Sequence, residues 1–427
     1  MNKKSQNMLF VLLIAISNLI AIPEFEILIN DNPYQEHIFI HSMGSDYYMT
    51  ILDSNFDIYW QINSNQIGLD FKENNNQISY FDKNINDNQQ PYWIIANKQM
   101  QETDSLICTS GVTDYHDIRL LENGNYIIQS YDSLYVDMSV IIDGGNSSAK
   151  IKSILRLQEF DSNHSLIFDW FAFDHLNIAD YNNLNLTNAQ IVWMHGNSID
   201  IDLDENIIVS NRRSSEVIKI DRITGEIIWI LGGPTNDFEI INDPLNGFSK
   251  QHDARRLTNG NLLLFDNGNN HQPPLSRVIE YEINEIDKTA TLVWEFQQPD
   301  ELVALSMGSC QRLPNQNTLI NWGNIAGIKA NIMEVDYEKN IVLELQYLNH
   351  NAYKVRKSSW EFDIPMLIGD TNLDEIINIL DVIYLVNYIL LEDVDSHSIF
   401  NLYKIDLNKD NLINILDAVE IINLILN

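Results

Sequence analysis

Apolar and polar residues alternate in short runs along most of this chain, from about residue 22 to residue 362. The runs come in pairs: an apolar strand, a turn rich in Gly, Asn or Asp, and a second strand that often ends in an aromatic residue, as in 48–60, 217–229 and 278–294. A period of two around such turns is typical of half-buried antiparallel hairpins. The pattern therefore predicts a mainly β domain over 22–362.

A second repeat runs in phase with the hairpins. His116 and His252 each stand seven residues ahead of an Asn-Gly turn, and His195 begins a related copy with its histidine two residues earlier. A further copy at 310–317 keeps the turn but has Gly308 at the histidine position. A repeat in which the turn is structural and the histidine is available for chemistry suggests a radially symmetric fold. Such a fold would direct several imidazoles toward one place.

The repeat length indicates how many units the scaffold contains. The turns at 259 and 315 lie 56 residues apart. Four-stranded propeller blades use about 40 to 50 residues, so roughly 340 residues accommodate six or seven blades. A pair of β-sandwiches would be equally rich in strands but would not explain two repeats in one phase. The sequence favours a six-bladed β-propeller.

Residues 1–21 have the pattern of a secretory signal peptide. Lys3 and Lys4 precede an apolar run over 8–16 and then small residues, with cleavage expected after Ser17 or Ala21. An uncleaved anchor is the alternative, although the run is short for a membrane-spanning helix. No second stretch approaches membrane length, so we expect a secreted protein, periplasmic or extracellular, with no membrane span after signal removal.

Composition and charge narrow the classes of partner. The chain has 427 residues with 45% hydrophobic composition, enough for more than one domain. Its net charge of -34 disfavours nucleic acid and anionic membranes as partners, because both would repel it. Cys108 and Cys310 could form one disulfide in an oxidising compartment or remain two buried thiols. Neither cysteine is assigned a catalytic role.

The composition changes after Pro365. Two stretches 36 residues apart, beginning at Asp370 and Asp406, place oxygen-bearing side chains at loop positions one, three, five, nine and twelve and a backbone carbonyl at position seven. Such a loop wraps around Ca²⁺, which takes about six to eight oxygen ligands. The predicted ligands are Asp370, Asn372, Asp374, Ile376, Asn378 and Asp381, and then Asp406, Asn408, Asp410, Leu412, Asn414 and Asp417.

Each of these loops runs into an amphipathic helix, predicted over 382–391 and 418–426. The alternative interpretation is two Asn/Asp-rich turns that hold no metal. The segment 366–427 resembles a type I dockerin, except that Glu375 and Asn411 occupy position six, which is usually glycine. The resemblance implies a small α-helical domain that binds calcium and attaches to a cohesin-like protein; internal pairing of the two halves is the other option.

The propeller segment resembles the bacterial aryl sulfotransferases. The motifs that carry the resemblance are Met194-His195-Gly-Asn-Ser198, Ser210-Asn-Arg212, Thr224-Gly-Glu-Ile-Ile-Trp229, Gln251-His252-Asp253-Ala-Arg255, Leu264-Phe-Asp-Asn-Gly268, Ser276-Arg277 and Asn321-Trp-Gly323. They run in family order over about 48–357, most densely over 191–323. The resemblance implies a six-bladed propeller that moves a sulfuryl group from a phenolic sulfate ester to a phenolic acceptor. It also implies that no nucleotide donor is needed and that the reaction passes through a sulfated histidine.

The same resemblance suggests candidate catalytic residues. His195 and His252 match family histidines that line the sulfate site, and Arg277 matches an arginine that grips the sulfate oxygens. His116 shares the register of His252 and is a third candidate histidine. A sulfuryl transfer needs a nucleophile and preorganised cations around the non-bridging oxygens, which imidazole and guanidinium groups can supply.

Each candidate also has a purely structural interpretation. His195 could be a satisfied core residue, and His252 could lock its blade by bonding to Asp253. Arg277 could pair with a glutamate in its own strand, at 280 or 282. The histidine cluster could instead hold a transition metal, since neutral imidazole is a common ligand, but no carboxylate motif of specific spacing accompanies it.

One departure from the family concerns the attacking histidine, which the resemblance places in a late blade. The corresponding register here holds Gly308, and His350 is the histidine that remains between residue 300 and the calcium loops. Three possibilities stay open: His252 or His116 attacks, the acceptor is sulfated directly, or catalysis has been lost. The alternative function is a non-catalytic propeller that binds an anionic or aromatic ligand and is displayed through the calcium module.

Overall fold

The computed structural model describes most of the chain. The described residues are 20–21, 25–44, 47–64, 67–83, 90–299, 302–325, 331–347, 350–362, 367–372, 374, 376–390, 405–408, 410 and 412–426. Residues 1–19 of the predicted signal lie outside this set, as do Glu375 and Asn411 of the calcium loops.

Six sheets of four or five strands form the blades of the propeller, and their innermost strands contact one another. Blade 1, from the innermost strand outward, consists of Asn351–Ser358, His37–Met43, Tyr47–Leu52 and Ile58–Asn63. Blade 2 consists of Leu69–Asn74, Gln77–Asp82, Tyr92–Ala96 and Glu102–Leu106. Blade 3 consists of Val112–Leu120, Tyr126–Val136, Ala149–Phe160 and Leu166–Phe171, with Gln190–Val192 added in parallel to its third strand.

The other three blades follow the same inside-to-outside order. Blade 4 consists of Gly196–Ile201, Ile207–Asn211, Glu216–Ile220 and Ile227–Gly232. Blade 5 consists of His252–Arg256, Leu262–Asp266, Arg277–Asn284, Thr289–Gln297 and Glu239–Ile241. Blade 6 consists of Ser309–Arg312, Thr318–Asn321, Asn331–Val335, Ile341–Tyr347 and Phe25–Asn30. The predicted mainly β chain with a six-bladed propeller is confirmed.

The two ends of the propeller segment interlock and close the ring. The last strand, Asn351–Ser358, pairs with His37–Met43 as the innermost strand of blade 1. The early strand Phe25–Asn30 pairs with Ile341–Tyr347 as the outermost strand of blade 6. Both pairings are antiparallel, so backbone hydrogen bonds fasten the ring at two places, and opening it would break both ladders.

The sequence patterns explain the blades. The aromatic residues that end the predicted hairpins, Trp60, Trp229 and Trp294, are all buried. The linked turns need a residue with positive φ, which Gly260 supplies with φ +88°, and Gln316 takes the same place in blade 6 with φ +73°. The apolar side chains that alternate along the strands thus fill the space between blades, while the turns connect one strand of a blade to the next.

Helices are few in the described part of the chain. They are Ala172–His175, Ile379–Leu390 and Ile415–Leu426, with 3-10 turns at Met138–Val140 and Ile178–Asp180. The two C-terminal helices begin three residues before their predicted starts, because the aspartates at loop position twelve lie in their first turns and accept hydrogen bonds there. None of the described helices is long and apolar enough to cross a bilayer.

The two C-terminal helices pack on each other through buried apolar side chains, including Leu385 and Ile421. The same apolar cluster continues into blades 1 and 6, where it includes Val355 and Leu345. The pair Ile20–Ala21 forms a two-stranded antiparallel sheet with Leu412–Ile413 in the second calcium loop.

Candidate active site

The three predicted histidines lie in or next to the innermost strands of consecutive blades. His116 belongs to blade 3, His195 immediately precedes the first strand of blade 4, and His252 begins blade 5. The ring centroids of His116 and His195 are 4.4 Å apart. The ring of Tyr353 lies 5.6 Å from His116 and 6.5 Å from His252. The structure thus brings the three histidines together, with Tyr353 beside the rings of His116 and His252.

Tyr353 comes from the innermost strand of blade 1 and is buried. Its hydroxyl has no hydrogen-bond partner among the described residues. Burial and the nearby carboxylates raise the pKa of Tyr353 well above its usual value, so the phenol stays protonated and can donate a hydrogen bond. Tyr115 stacks on His116 at 4.1 Å and extends the aromatic wall. Sequence reasoning missed Tyr353, because no motif surrounds it and only ring closure brings it to the histidines.

Asp114 orients His116. Its Oδ1 lies 2.6 Å from His116 Nδ1 and also accepts the backbone N–H of His116 at 3.0 Å and an N–H of Gln129 at 2.5 Å. Burial alone would raise the pKa of Asp114, but its contacts with His116 and Gln129 hold the pKa below its ordinary value. The carboxylate therefore fixes the proton on Nδ1, which leaves the Nε2 lone pair of His116 available.

Asn267 holds His252 in the same tautomer. The Asn267 amide N–H groups donate to the carbonyls of Ala304 at 2.9 Å and Met307 at 3.0 Å. Its Oδ1 must therefore be the acceptor in the 2.6 Å contact with His252 Nδ1. Burial lowers the pKa of His252 well below its usual value, so the ring is neutral with a free lone pair on Nε2.

His195 is fixed through its backbone. Its N–H donates to Asn211 Oδ1 at 2.7 Å, and its carbonyl accepts the N–H of Arg212 at 2.8 Å. Burial, with smaller contributions from the neighbouring His116 ring and the charge of Arg212, lowers the pKa of His195 to about 3. The imidazole therefore stays neutral across the physiological range.

Arg212 carries a guanidinium close to two of the histidines. It lowers the pKa of both His195 and His252, which places its charge within electrostatic reach of both rings. Its Nη2 donates to the carbonyl of Leu305 at 3.0 Å, and its Nε is buried without a partner. No carboxylate of the described residues forms an ion pair with Arg212, so its charge is available to an anion. The family motif at 210–212 contained this residue, but nothing in the sequence favoured it over Arg277.

The structure does not bring Arg277 to the histidines. Its guanidinium is fully buried in blade 5 and ion-paired to Asp243 at 2.9 Å, to Asp266 at 3.1 Å and to Glu295 at 2.9 Å. These partners also differ from the glutamates of its own strand that the sequence suggested. With three carboxylates around it, Arg277 anchors the segment that carries Asn267.

The two residues of the His-Asp dipeptide have different roles in both repeats. His116 and His252 face the site, while the following Asp117 and Asp253 face an ion network on the innermost strands. The network consists of Asp70, Asp117, Asp253, Lys72, Lys354, Arg255 and Arg356. It joins four blades, and Lys354 also donates to the carbonyl of His116 at 2.6 Å. The network therefore anchors the backbone that carries the imidazoles.

The late-blade register has no room for an imidazole. Gly308 has φ +108°, and a Cβ added there would lie 2.6 Å from the ring of Phe265. His350 packs instead against Tyr48 and Tyr347, with ring centroids 6.1 and 6.2 Å away. Neither position supplies a nucleophile to the three-histidine cluster.

The two cysteines are free thiols, and both are buried. Burial raises the pKa of Cys108 to about 12 and that of Cys310 well above its usual value. Of the two states that the sequence allowed, the structure has the unbridged one.

The two calcium loops have the same internal hydrogen bonds. In the first, the N–H of Asp374 points between Asp370 Oδ1 at 3.2 Å and Asn372 Oδ1 at 3.0 Å, and Asn378 donates to the carbonyl of Ile376 at 3.1 Å. The equivalent contacts in the second loop involve Asp406, Asn408, Asp410, Leu412 and Asn414. In each loop, the side-chain oxygens at positions one and three thus turn toward the backbone of position five, and the side chain at position nine reaches the carbonyl at position seven.

The carboxylates of the second loop lie close enough together to favour a bound cation. Burial raises the pKa of Asp417, and the neighbouring carboxylate of Asp406 raises it further. Two carboxylates held close together favour a divalent ion between them. Within the described residues, no three acidic, histidine or cysteine side chains converge as a metal site, so amide and carbonyl oxygens would have to complete the set.

Comparison with known proteins agrees with this architecture. The family model for Arylsulfotransferase (ASST) matches residues 26–356, and the model for the Dockerin type I domain matches residues 368–426. The arylsulfate sulfotransferase AssT of Escherichia coli O6:H1 (strain CFT073) is 25% identical over 200 residues, which cover 37% of this chain and 33% of that protein. The match thus spans about a third of that curated relative.

Solved structures resemble the chain more distantly. A protein of unknown function from Bacteroides caccae covers 76% of this chain and 99% of its own, with 11% identity and a TM-score of 0.45. TolB from Acinetobacter baumannii covers 76% of this chain and 67% of its own, with 8% identity and a TM-score of 0.46. Similarity at this level says nothing about activity. The family model, which matches most of the chain, shows that the protein belongs to the arylsulfotransferase family and carries a type I dockerin domain at its C-terminus.

Proposed function

We propose that the propeller transfers a sulfuryl group from a phenolic sulfate ester to a phenolic acceptor, without a nucleotide donor. The observation that carries the proposal is the cluster of His116, His195 and His252 with Tyr353 beside it, together with Arg212, which forms no ion pair among the described residues. Membership of the arylsulfotransferase family supports the same reaction class.

His116 is the proposed nucleophile. Its Nε2 lone pair attacks sulfur, the bond from sulfur to the aryl oxygen breaks, and the phenolate leaves with that electron pair. Asp114 stabilises the positive charge that develops on the imidazole, whereas the neutral Asn267 does less for His252. This difference in partners favours His116 as the attacking residue.

The second half of the reaction returns His116 to its starting state. The oxygen of an acceptor phenol attacks sulfur, the sulfur–nitrogen bond breaks, and the electron pair returns to Nε2. The proton of the acceptor passes to Nε2 of the neutral His252 and from there to the released phenolate or to water, so that both histidines end the cycle in their starting state. Atoms and charges balance over the two halves.

The other groups stabilise the transition state. Arg212 offers an uncompensated charge to the non-bridging oxygens, and the hydroxyl of Tyr353 has a hydrogen to donate to them or to the leaving phenolate. The stacked ring of Tyr115 supports the imidazole of His116. We assign no sulfate contact to Arg277, because carboxylates already surround it.

The test is release of nitrophenol from 4-nitrophenyl sulfate with and without added phenol. The proposal predicts release that depends on the acceptor and falls at least a hundredfold in His116→Ala. His164→Asn is the matched control, since His164 lies in an exposed turn of blade 3 with φ +61° and should retain full activity. No release under any condition would leave the transferase proposal without support.

The alternative is a non-catalytic propeller that binds an anionic or aromatic ligand. It is favoured by Gly308, whose contact with Phe265 excludes the late-blade histidine of the family. It predicts that sulfonate analogues bind without turnover of any aryl sulfate, and that His252→Ala changes the affinity alone.

For the C-terminal domain we propose calcium binding and attachment to a cohesin-like protein. The ion would be held in the first loop by Asp370, Asn372, Asp374, Ile376, Asn378 and Asp381, and in the second by Asp406, Asn408, Asp410, Leu412, Asn414 and Asp417. Bound calcium would neutralise the close carboxylates and fix each loop to its helix. The predicted signal at 1–21 fits export to the calcium-rich side of the membrane, which N-terminal sequencing of the exported protein would test.

A further inference from the structure

The arginines of this acidic chain are almost all ion-paired. The exceptions are Arg212 and Arg213, neither of which forms an ion pair with the part of the chain that the structure describes; the paired ones are Arg119, Arg156, Arg222, Arg255, Arg256, Arg277, Arg312 and Arg356. Two adjacent unpaired arginines are unusual where the net charge is -34. Their position in the turn between the second and third strands of blade 4 puts them at the histidine end of the propeller.

Lys250 joins the two arginines at this rim. It lies two residues before His252, and its ammonium group donates to the carbonyl of Arg213 at 2.8 Å. It too has no ion pair within the described ranges. We call Arg213 and Lys250 the basic rim, because Arg212 belongs to the proposed sulfuryl site.

These cations repel one another. Burial lowers the pKa of Lys250, and the charges of Arg212 and Arg213 lower it further. Burial and the charge of Arg213 likewise lower the pKa of Arg212. Three like charges that form no ion pair with any described carboxylate cost free energy of folding, and an anion bound among them would recover it.

We infer that the basic rim is a second anion subsite, so that the preferred substrate carries a second acidic group on the ring besides the one that reacts. The ligand class is an aryl sulfate or phenol with a carboxylate or a second sulfate. The inference rests on the proposed function for what occupies the sulfuryl site, but the rim itself rests on the unpaired cations.

Calorimetry with unreactive analogues tests the inference. Benzenesulfonate fills the sulfuryl site alone, whereas 4-sulfobenzoate and benzene-1,4-disulfonate add a carboxylate or a second sulfonate. At low ionic strength the full-length protein should bind at least one dianion about tenfold more tightly than benzenesulfonate. The dianion that gains more affinity over benzenesulfonate shows whether the rim selects a carboxylate or a sulfate.

The double variant Arg213→Met with Lys250→Met should lose this preference while its affinity for benzenesulfonate stays within about twofold. Lys339→Met is the matched control: Lys339 lies in the turn between the third and fourth strands of blade 6, at the opposite end of the propeller, and has no ion pair among the described residues. This variant should keep the preference.

The outcomes separate the two proposals. Equal affinity for mono- and dianions in the wild type, or a preference that survives the double variant, overturns the second subsite even if aryl sulfates turn over. A preference that the double variant abolishes, in a protein that turns over no aryl sulfate, supports the rim and contradicts the transferase. Failure of all three analogues to bind overturns the rim.

Discussion

Two imidazoles of the site are held through the same ring nitrogen by different partners. Asp114 holds His116 and Asn267 holds His252, both at 2.6 Å. Both tautomers leave Nε2 as a nucleophile or base, but only the carboxylate can balance a positive imidazole. In the proposed reaction, this difference assigns nucleophilic attack to His116 and proton transfer to His252.

Replacing the carboxylate should therefore slow chemistry more than binding. In Asp114→Asn we expect kcat to fall about a hundredfold or more, with a much smaller change in the KM for 4-nitrophenyl sulfate, because the amide can bond to the wrong tautomer and offers no charge. Steady-state kinetics measure both constants. Asp169→Asn, which removes a partly exposed partner of Arg156 in the same blade, serves as the control. Equal losses in the two variants would remove the special role of Asp114.

The buried neutral histidines should make stability depend on pH. The pKa of His195 is lowered from 6.5 to about 3, so between these values the unfolded chain binds a proton that the folded protein does not. The free energy of unfolding should then decrease as the pH falls from about 6.5 toward 3, by up to about 1.4 kcal/mol per pH unit for each such group. His252 contributes with the same sign.

Chemical denaturation of His195→Gln against the wild type at pH 7, 5.5 and 4.5 measures this contribution. The variant should show a shallower loss of stability with acidification, because glutamine has no proton to gain. Parallel curves for the two proteins would mean that His195 is protonated in the folded state.

At the scale of elements, Gly308 marks where this chain leaves the family pattern. Its backbone at φ +108° and the ring of Phe265 both exclude a side chain. Gly260 shares the positive φ, at +88°, but has open space around its Cβ position. A comparison of the two glycines therefore separates the cost of backbone strain from the cost of steric overlap.

Gly260→Ala should cost about 1 kcal/mol of unfolding free energy, and Gly308→Ala about 3 kcal/mol or more, since it adds overpacking to the strain. Thermal or urea unfolding gives both values. Similar costs at the two positions would show that Phe265 moves aside, and the late-blade register would then be open to a side chain.

The C-terminal helices should depend on calcium through their loops. Calcium should raise the melting temperature of this domain, and Asp374→Ala combined with Asp410→Ala should abolish the effect, because one carboxylate is lost from each loop. Asp143→Ala in the propeller should leave the calcium response intact, as Asp143 is an exposed loop residue. Unchanged helicity and melting after chelation would contradict the calcium assignment.

At the scale of the whole molecule, local patterns predicted the blades because each hairpin is encoded within its own stretch of chain. Alternation and turn residues predicted the strands, the repeat spacing predicted the number of blades, and the loop spacing predicted the C-terminal domain. The site is a different matter. His116, His195 and His252 carried a repeat register, whereas Tyr353 reaches them only because the last strand closes blade 1, a pairing more than 300 residues apart in sequence.

The ion-pair partners of the arginines could not be predicted from the sequence either. Arg277 was expected at the sulfate from its motif, yet Asp243, Asp266 and Glu295 enclose it. Arg212 forms no ion pair within the described part of the chain, and this lack of a charged partner is visible only once the blades are assembled. In a chain this acidic, the unpaired cations are the more informative ones.

The most direct test of the central claim is mass spectrometry of the full-length enzyme quenched after mixing with 4-nitrophenyl sulfate and no acceptor. The account predicts one sulfuryl group on the peptide that contains His116, which disappears when phenol is added before quenching and is missing in His116→Ala. A sulfuryl group on His252 instead, or acceptor-dependent turnover with no sulfated peptide at any time, would contradict it.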